Sequence, residues 1–129
     1  MKKVDLSKDI TSTIFRGANE GIEIMCGGSF YSYEEELAID YAEMEEKPCL
    51  YAFDVTGLKL LVVDYNDEID EGVDGFTKEE IEMYDGVRTK NYAQVLMFGT
   101  FDCVTGEFKK QSYDELINDS KAEYRRYDR

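Results

Sequence analysis

Few side chains in this sequence can do acid–base or nucleophilic chemistry near neutral pH. Histidine is absent from the 129 residues, which removes the usual general base and the most frequent metal ligand. The three cysteines, Cys26, Cys49 and Cys103, show no C-x-x-C spacing. Neither a disulfide framework nor a metal site is expected, and a reducing cytoplasmic setting is. A serine or cysteine nucleophile would lack a histidine partner. No phosphate-binding Gly loop ending in Lys-Ser/Thr, no G-x-G-x-x-G and no G-x-S-x-G occurs. The run from Asp64 to Ile69 opens like a calcium loop. However, Ile69 stands where that loop needs Gly, and Gly75 where it needs Glu.

One ordered set of short motifs is left. Ile14-Phe15-Arg16-Gly17 ends an expected first strand. Gly28-Ser29-Phe30-Tyr31-Ser32 precedes an expected helix bearing Ala38, Tyr41 and Ala42. Tyr84-Asp85-Gly86-Val87-Arg88 is followed by Tyr92-Ala93-Gln94 and the apolar run Val95-Leu96-Met97-Phe98. From Thr11 to Phe98 this order resembles the arginine-serine-glutamate branch of the ADP-ribosyltransferase family. In that branch an aromatic-Arg-Gly ends the first strand and a Ser precedes a helix. A catalytic Glu stands directly before a Val-Leu-Phe-type strand.

The resemblance implies an NAD-using transferase that modifies a protein or nucleotide target. It assigns Arg16 to a phosphate or ribose of NAD, and the backbone of Gly17 to the nicotinamide amide. Ser32 would support the arginine and the nicotinamide ribose, and Phe30, Tyr31 or Tyr33 would stack on the nicotinamide ring. Gln94 falls at the catalytic Glu position. This departs from the family pattern, because a Glu stabilises the positive charge that builds on the ribose, a contribution of about 3–4 kcal/mol per well-placed group. Gln brings a hydrogen bond without the charge. That leaves open a slow enzyme, a chemistry that tolerates Gln, an acid supplied from elsewhere such as Asp85, or a fold kept for binding. Each residue also has a purely structural reading. Arg16 can be a surface arginine and Ser32 a helix N-cap. The aromatics can be core, Gln94 a strand edge, and the cysteines small buried hydrophobes.

The elements that must position these residues follow from periodicity and capping chemistry. Strands are expected at Thr11–Ala18, Cys49–Thr56, Leu58–Asp64 (apolar on both faces) and Gln94–Val104, with a short final strand after Thr105-Gly106. Capping-box pairs Ser32/Glu35, Thr77/Glu80 and Ser112/Glu115 predict three helix starts. The first helix would place Tyr33, Leu37, Ala38, Tyr41 and Ala42 on one face and stop before Pro48. Strands and helices do not alternate strictly. The expected architecture is therefore α+β, a single compact domain over residues 1–129, with a mixed or antiparallel sheet, flanking helices and an ADP-ribosyltransferase-like fold.

Charge narrows the partners. The net charge is −14, which repels nucleic-acid backbones, so no direct nucleic-acid partner is expected. No apolar run is long enough to span a bilayer, and the N-terminus does not read as a secretory signal. Ten acids lie between Asp64 and Asp85 against one base, Lys78, whereas Lys121, Arg125, Arg126 and Arg129 gather at the end. The acidic block reads either as a solvated face or as a surface that docks on a basic protein target. The alternative function is accordingly an acidic, phage-type inhibitor that covers the basic surface of a nucleic-acid-processing protein. Oligomeric state is not legible in the sequence.

Overall fold

The structure is a computed structural model that describes residues 13–65 and 68–119. Strand β1 (Thr13–Asn19) buries Ile14 and Ala18 on one face. The intervening positions Phe15 and Gly17 belong to the other face, as a pleated strand demands. The next segment adds two very short strands, β2 (Ile24–Met25) and β3 (Phe30–Tyr31), before helix α1 (Glu35–Ala42). Strand β4 (Pro48–Asp54) then returns antiparallel to β1, with Asn19 opposite Pro48 and Thr13 opposite Asp54. Pro48 is tolerated because it opens the strand.

Strand β5 (Leu60–Val63) is followed by the acidic segment, a 3-10 turn at Gly72–Gly75 and helix α2 (Lys78–Met83). Strands β6 (Gly86–Thr89) and β7 (Val95–Met97) complete a mixed four-stranded sheet in the order β3-β7-β6-β5. The β5–β6 pair is parallel and the others are antiparallel. Strands β8 (Gly99–Asp102) and β9 (Phe108–Lys110) form a small antiparallel sheet with β2. The β1–β4 ribbon joins the larger sheet through one bridge. Phe15 N donates to Ser32 O at 2.7 Å, and Ser32 N donates to Phe15 O at 2.9 Å.

Strand β7 separates two buried groups. Val95 and Met97 pack with Ile14, Tyr31, Phe53 and Phe101, and Leu96 packs with Ile69, Ile81, Val87, Phe98 and Leu116. Leu60 and Leu61 divide in the same way. This explains why these strands read as continuously apolar: both faces are covered, and each large side chain fully withdrawn from water contributes about 1.5–3 kcal/mol. Phe53 and Phe101 stack at 4.4 Å, and Tyr31 meets both edge-on. The molecule is a small compact α+β domain with mixed and antiparallel sheets. Among the described residues no helix is long and apolar enough to cross a membrane.

Four expectations are corrected. The strand expected over Gln94–Val104 is two strands in two sheets, divided at Phe98. The amide of Phe98 donates to Asp85 O at 2.8 Å and its carbonyl accepts from Gln111 N at 3.1 Å. A side chain on Gly99 would run into Lys109 O and the Phe108 ring, so the crossing passes where only glycine fits. The Ser32/Glu35 capping box does not form. The bridge to Phe15 holds Ser32 extended, α1 starts three residues later with Glu34 as N-cap, and no side chain caps it. Ser32 Oγ instead accepts from Glu34 N at 2.9 Å, and Tyr33 precedes the helix rather than lying on its face. Strands β2, β3 and β6 were not foreseen. Finally, the three cysteines are half-buried rather than buried. The other two boxes form: Thr77 and Glu80 bond reciprocally at α2, and Ser112 and Glu115 do so at the helical segment 113–119. Thr11 and the basic residues from Lys121 to Arg129 lie outside the described residues.

Candidate functional site

A cavity of about 430 Å³ opens beside β1, α1 and the β3–β7 edge. Six of the seven residues singled out from the sequence line it: Arg16, Gly17, Phe30, Tyr31, Ser32 and Gln94. They are 78 positions apart at the extremes, as 94 − 16 gives. The Phe15–Ser32 bridge and the β3–β7 pairing are what bring them together.

Arg16 reaches across the bridge, and its Nη1 donates to Phe30 O at 2.9 Å. Its guanidinium carbon stands 6.0 Å from the Tyr31 ring centroid. Arg16 Nε is buried without a hydrogen-bond partner. Gln94 sits directly before β7, anchored through its backbone. Its amide donates to Thr89 Oγ1 at 3.1 Å and its carbonyl accepts from Thr89 N at 2.9 Å. Thr89 is itself fully buried, and its hydroxyl donates to Asn91 Oδ1 at 2.7 Å. Gln94 Oε1, like Arg16 Nε, is buried with no partner. The Tyr31 hydroxyl is a third such atom among the lining residues, and each costs roughly 1–3 kcal/mol unless water or a ligand completes it.

Gly17 has two separate reasons to be glycine-like. A Cβ there would collide with Ala38 O and come within 2.5 Å of Ala42 N, so α1 lies directly on the strand. Its backbone also faces the cavity side. Both hydrogen-bonding groups of Phe15 turn to Ser32, away from β4. Residues two apart on a strand point the same way, so the N–H and C=O of Gly17 share that direction.

Among the aromatics, the structure separates three roles. Phe30 lies at the cavity and is 39% exposed. Tyr31 lines the cavity but belongs to the core. Burial pushes its phenol well above the ordinary tyrosine range, against the opposing pull of the Arg16 charge. Tyr33 does not line the cavity. It packs edge-on against Tyr92 at 5.1 Å, within the same buried group as Tyr31. Tyr92 in turn lies 4.1 Å from the Arg88 guanidinium and holds a positive φ of 64°. Asp85 is also away from the cavity, where its carboxylate accepts from Lys59 N at 2.8 Å.

Three cavity residues were missed: Asp70, Glu45 and Met44. Asp70 and Glu45 supply carboxylates to the wall, and Glu45 Oε2 accepts from Asn19 Nδ2 at 2.8 Å. Asp70 carried a weak signal as part of the acidic block. Glu45 carried none, and Met44 only its helical spacing from Leu37 and Tyr41. Arg16 is the one cation among the described lining residues. Among the described residues no group of three or more metal-ligating side chains is placed to hold an ion. Comparison with protein-family models, with curated proteins and with solved structures finds no match.

Proposed function

We propose that this cavity is an ADP-ribosyltransferase-like site that takes NAD and serves the modification of a protein or nucleotide target. The observation that carries the reading is the convergence of Arg16, Gly17, Phe30, Ser32 and Gln94 on one cavity whose lining residues keep three buried polar atoms unpartnered. The residues fit NAD in kind. Arg16 offers charge to a phosphate or ribose oxygen, Gly17 offers an outward N–H and C=O to a carboxamide, and Phe30 offers a half-exposed ring face for stacking. The volume falls in the range of small-molecule sites, about 300–1,000 Å³.

NAD supplies the nicotinamide–ribose bond, whose cleavage builds positive charge on the sugar. The chain's own contribution at that point is Gln94, held by Thr89, which can accept or donate a hydrogen bond but brings no charge. Asp70 and Glu45 are the carboxylates at the cavity, whereas Asp85, one candidate for an acid supplied from elsewhere, is held at Lys59 N. Turnover with Gln94 is therefore slow, and Gln94→Glu speeds it by adding a charge beside the developing cation.

The test is thermal unfolding with millimolar NAD, alongside nicotinamide release from labelled NAD. NAD raises the Tm of the wild type by mass action. Arg16→Ala removes that rise, Gln94→Glu increases release, and Gln94→Ala lowers it. A flat melting curve together with release at the buffer rate in the wild type and both Gln94 variants sinks the proposal.

A further inference from the structure

Leu37, Tyr41 and Met44 follow one another at helical spacing along α1 and the turn beyond it, where Met44 N donates to Tyr41 O at 3.3 Å. Ala38 and Ala42, on the adjoining side of the helix, are buried with Gly17 against them. Leu37, Tyr41 and Met44 all line the cavity, and Tyr41 and Met44 remain 53% and 72% exposed. Phe30 continues this apolar strip across the opening, 3.8 Å from where a side chain on Gly72 would begin. That proximity brings the acidic segment to the rim, and Asp70 lines the same cavity. From Glu34 to Glu46 the chain carries seven carboxylates and no cation. An apolar strip with acids on both sides does not suit a nucleic acid or an anionic membrane. Exposed large apolar side chains in one patch mark an interaction surface, and the surrounding charge selects its partner.

We propose that the mouth of this cavity docks a segment of a target protein in which lysine or arginine alternates with apolar side chains. The cations of that segment face Asp70, Glu45 and the acids of α1, and its apolar side chains cover Tyr41, Met44 and Phe30. Only the segment's status as the modified target rests on the transferase reading; the docking does not.

The probe is a fluorescein-labelled peptide alternating arginine with leucine, compared with its glutamate counterpart by fluorescence anisotropy over a range of salt. The arginine peptide binds and the glutamate peptide does not. The double variant Tyr41→Ser/Met44→Ser weakens binding by roughly tenfold, because a few central apolar residues dominate such interfaces. Asp70→Asn weakens it by roughly threefold and flattens the salt dependence. A control pair, Asp114→Asn with Glu107→Gln, removes charge from residues that do not line the cavity and leaves the affinity within a factor of about two. Circular dichroism shows that the exposed substitutions leave the fold intact. Three results overturn the proposal: no arginine-peptide binding at millimolar concentration, equal weakening by the control pair, or a wild-type dimer in sedimentation that Tyr41→Ser/Met44→Ser dissolves. Loss of NAD stabilisation in Arg16→Ala is read separately. A chain that shows the peptide pattern but no response to NAD keeps the docking surface and loses the transferase reading.

Discussion

Gly17→Ala tests how closely α1 is seated on β1, and hence the shape of the cavity. The added methyl would meet Ala38 O, approach Ala42 N to 2.5 Å and lie 2.9 Å from Ala42 Cβ. Two of these neighbours are helix backbone, so no side chain can rotate away and the whole helix must lift. Overpacking of this kind costs typically 1–3 kcal/mol, and a backbone clash belongs at the upper end, about 3 kcal/mol. For a chain of this size that lowers Tm by roughly 10–15 °C. Gly57 is the control. It has a φ of +84° with nothing within 4 Å of an added methyl, so Gly57→Ala loses only the conformational term of about 1 kcal/mol. Adding Ala42→Gly to Gly17→Ala removes only the side-chain contact and restores little. The assay is urea unfolding followed by circular dichroism, with the midpoint read at constant slope. If Gly17→Ala were no worse than Gly57→Ala, the helix would not lie on the strand as described. The cavity wall built from Leu37, Tyr41 and Met44 would then fall with it.

The acids of the segment after β5 separate by role. Asp70→Asn and Glu71→Gln leave urea midpoints unchanged or slightly raised, because like charges repel. Glu68→Gln lowers the midpoint, because its carboxylate accepts from both Asp64 N and Tyr65 N, at 3.0 and 2.9 Å. An identical response in all three would mean that Glu68 holds no structure there. Stability also declines in alkali through Tyr31. Its phenol is raised in the folded state by burial, so its contribution is complete below the unfolded value of about 10. It is lost as pH rises above that, since the unfolded chain releases a proton that the folded chain keeps. Unfolding free energies from urea curves at about pH 9, 10 and 11 should fall less steeply in Tyr31→Phe, by about 1.4 kcal/mol per pH unit above 10. Parallel profiles for the two proteins would contradict the burial of that hydroxyl.

The parts of the fold legible in the sequence are those whose signals are local. Alternation marks β1 and β4, and reciprocal Ser/Thr and Glu pairs mark the starts of α2 and the segment 113–119. What was not legible depends on pairing at a distance. Strand β6 is buried at all four positions, yet Gly86-Val87-Arg88-Thr89 reads as half polar. Its Arg88 is accommodated by the Tyr92 ring, and its Thr89 by Asn91 and Gln94. Strands β2 and β3 are two residues each and carry no period of their own. The apolar run ending at Phe98 gives no hint that the chain changes sheets there.

The candidate site inherits this division. Arg16 and Gly17 lie on a strand that periodicity finds, and Gln94 precedes another. Ser32, by contrast, carries a plausible helix-capping pattern that a single pair of backbone hydrogen bonds to Phe15 overrides. That bridge is the same contact that turns the Gly17 amide outward and brings Phe30 O within reach of Arg16. The feature that defeats the local reading of Ser32 is therefore the one that assembles the cavity. Substitutions that weaken it should disturb Arg16, Gly17 and Phe30 together rather than one at a time.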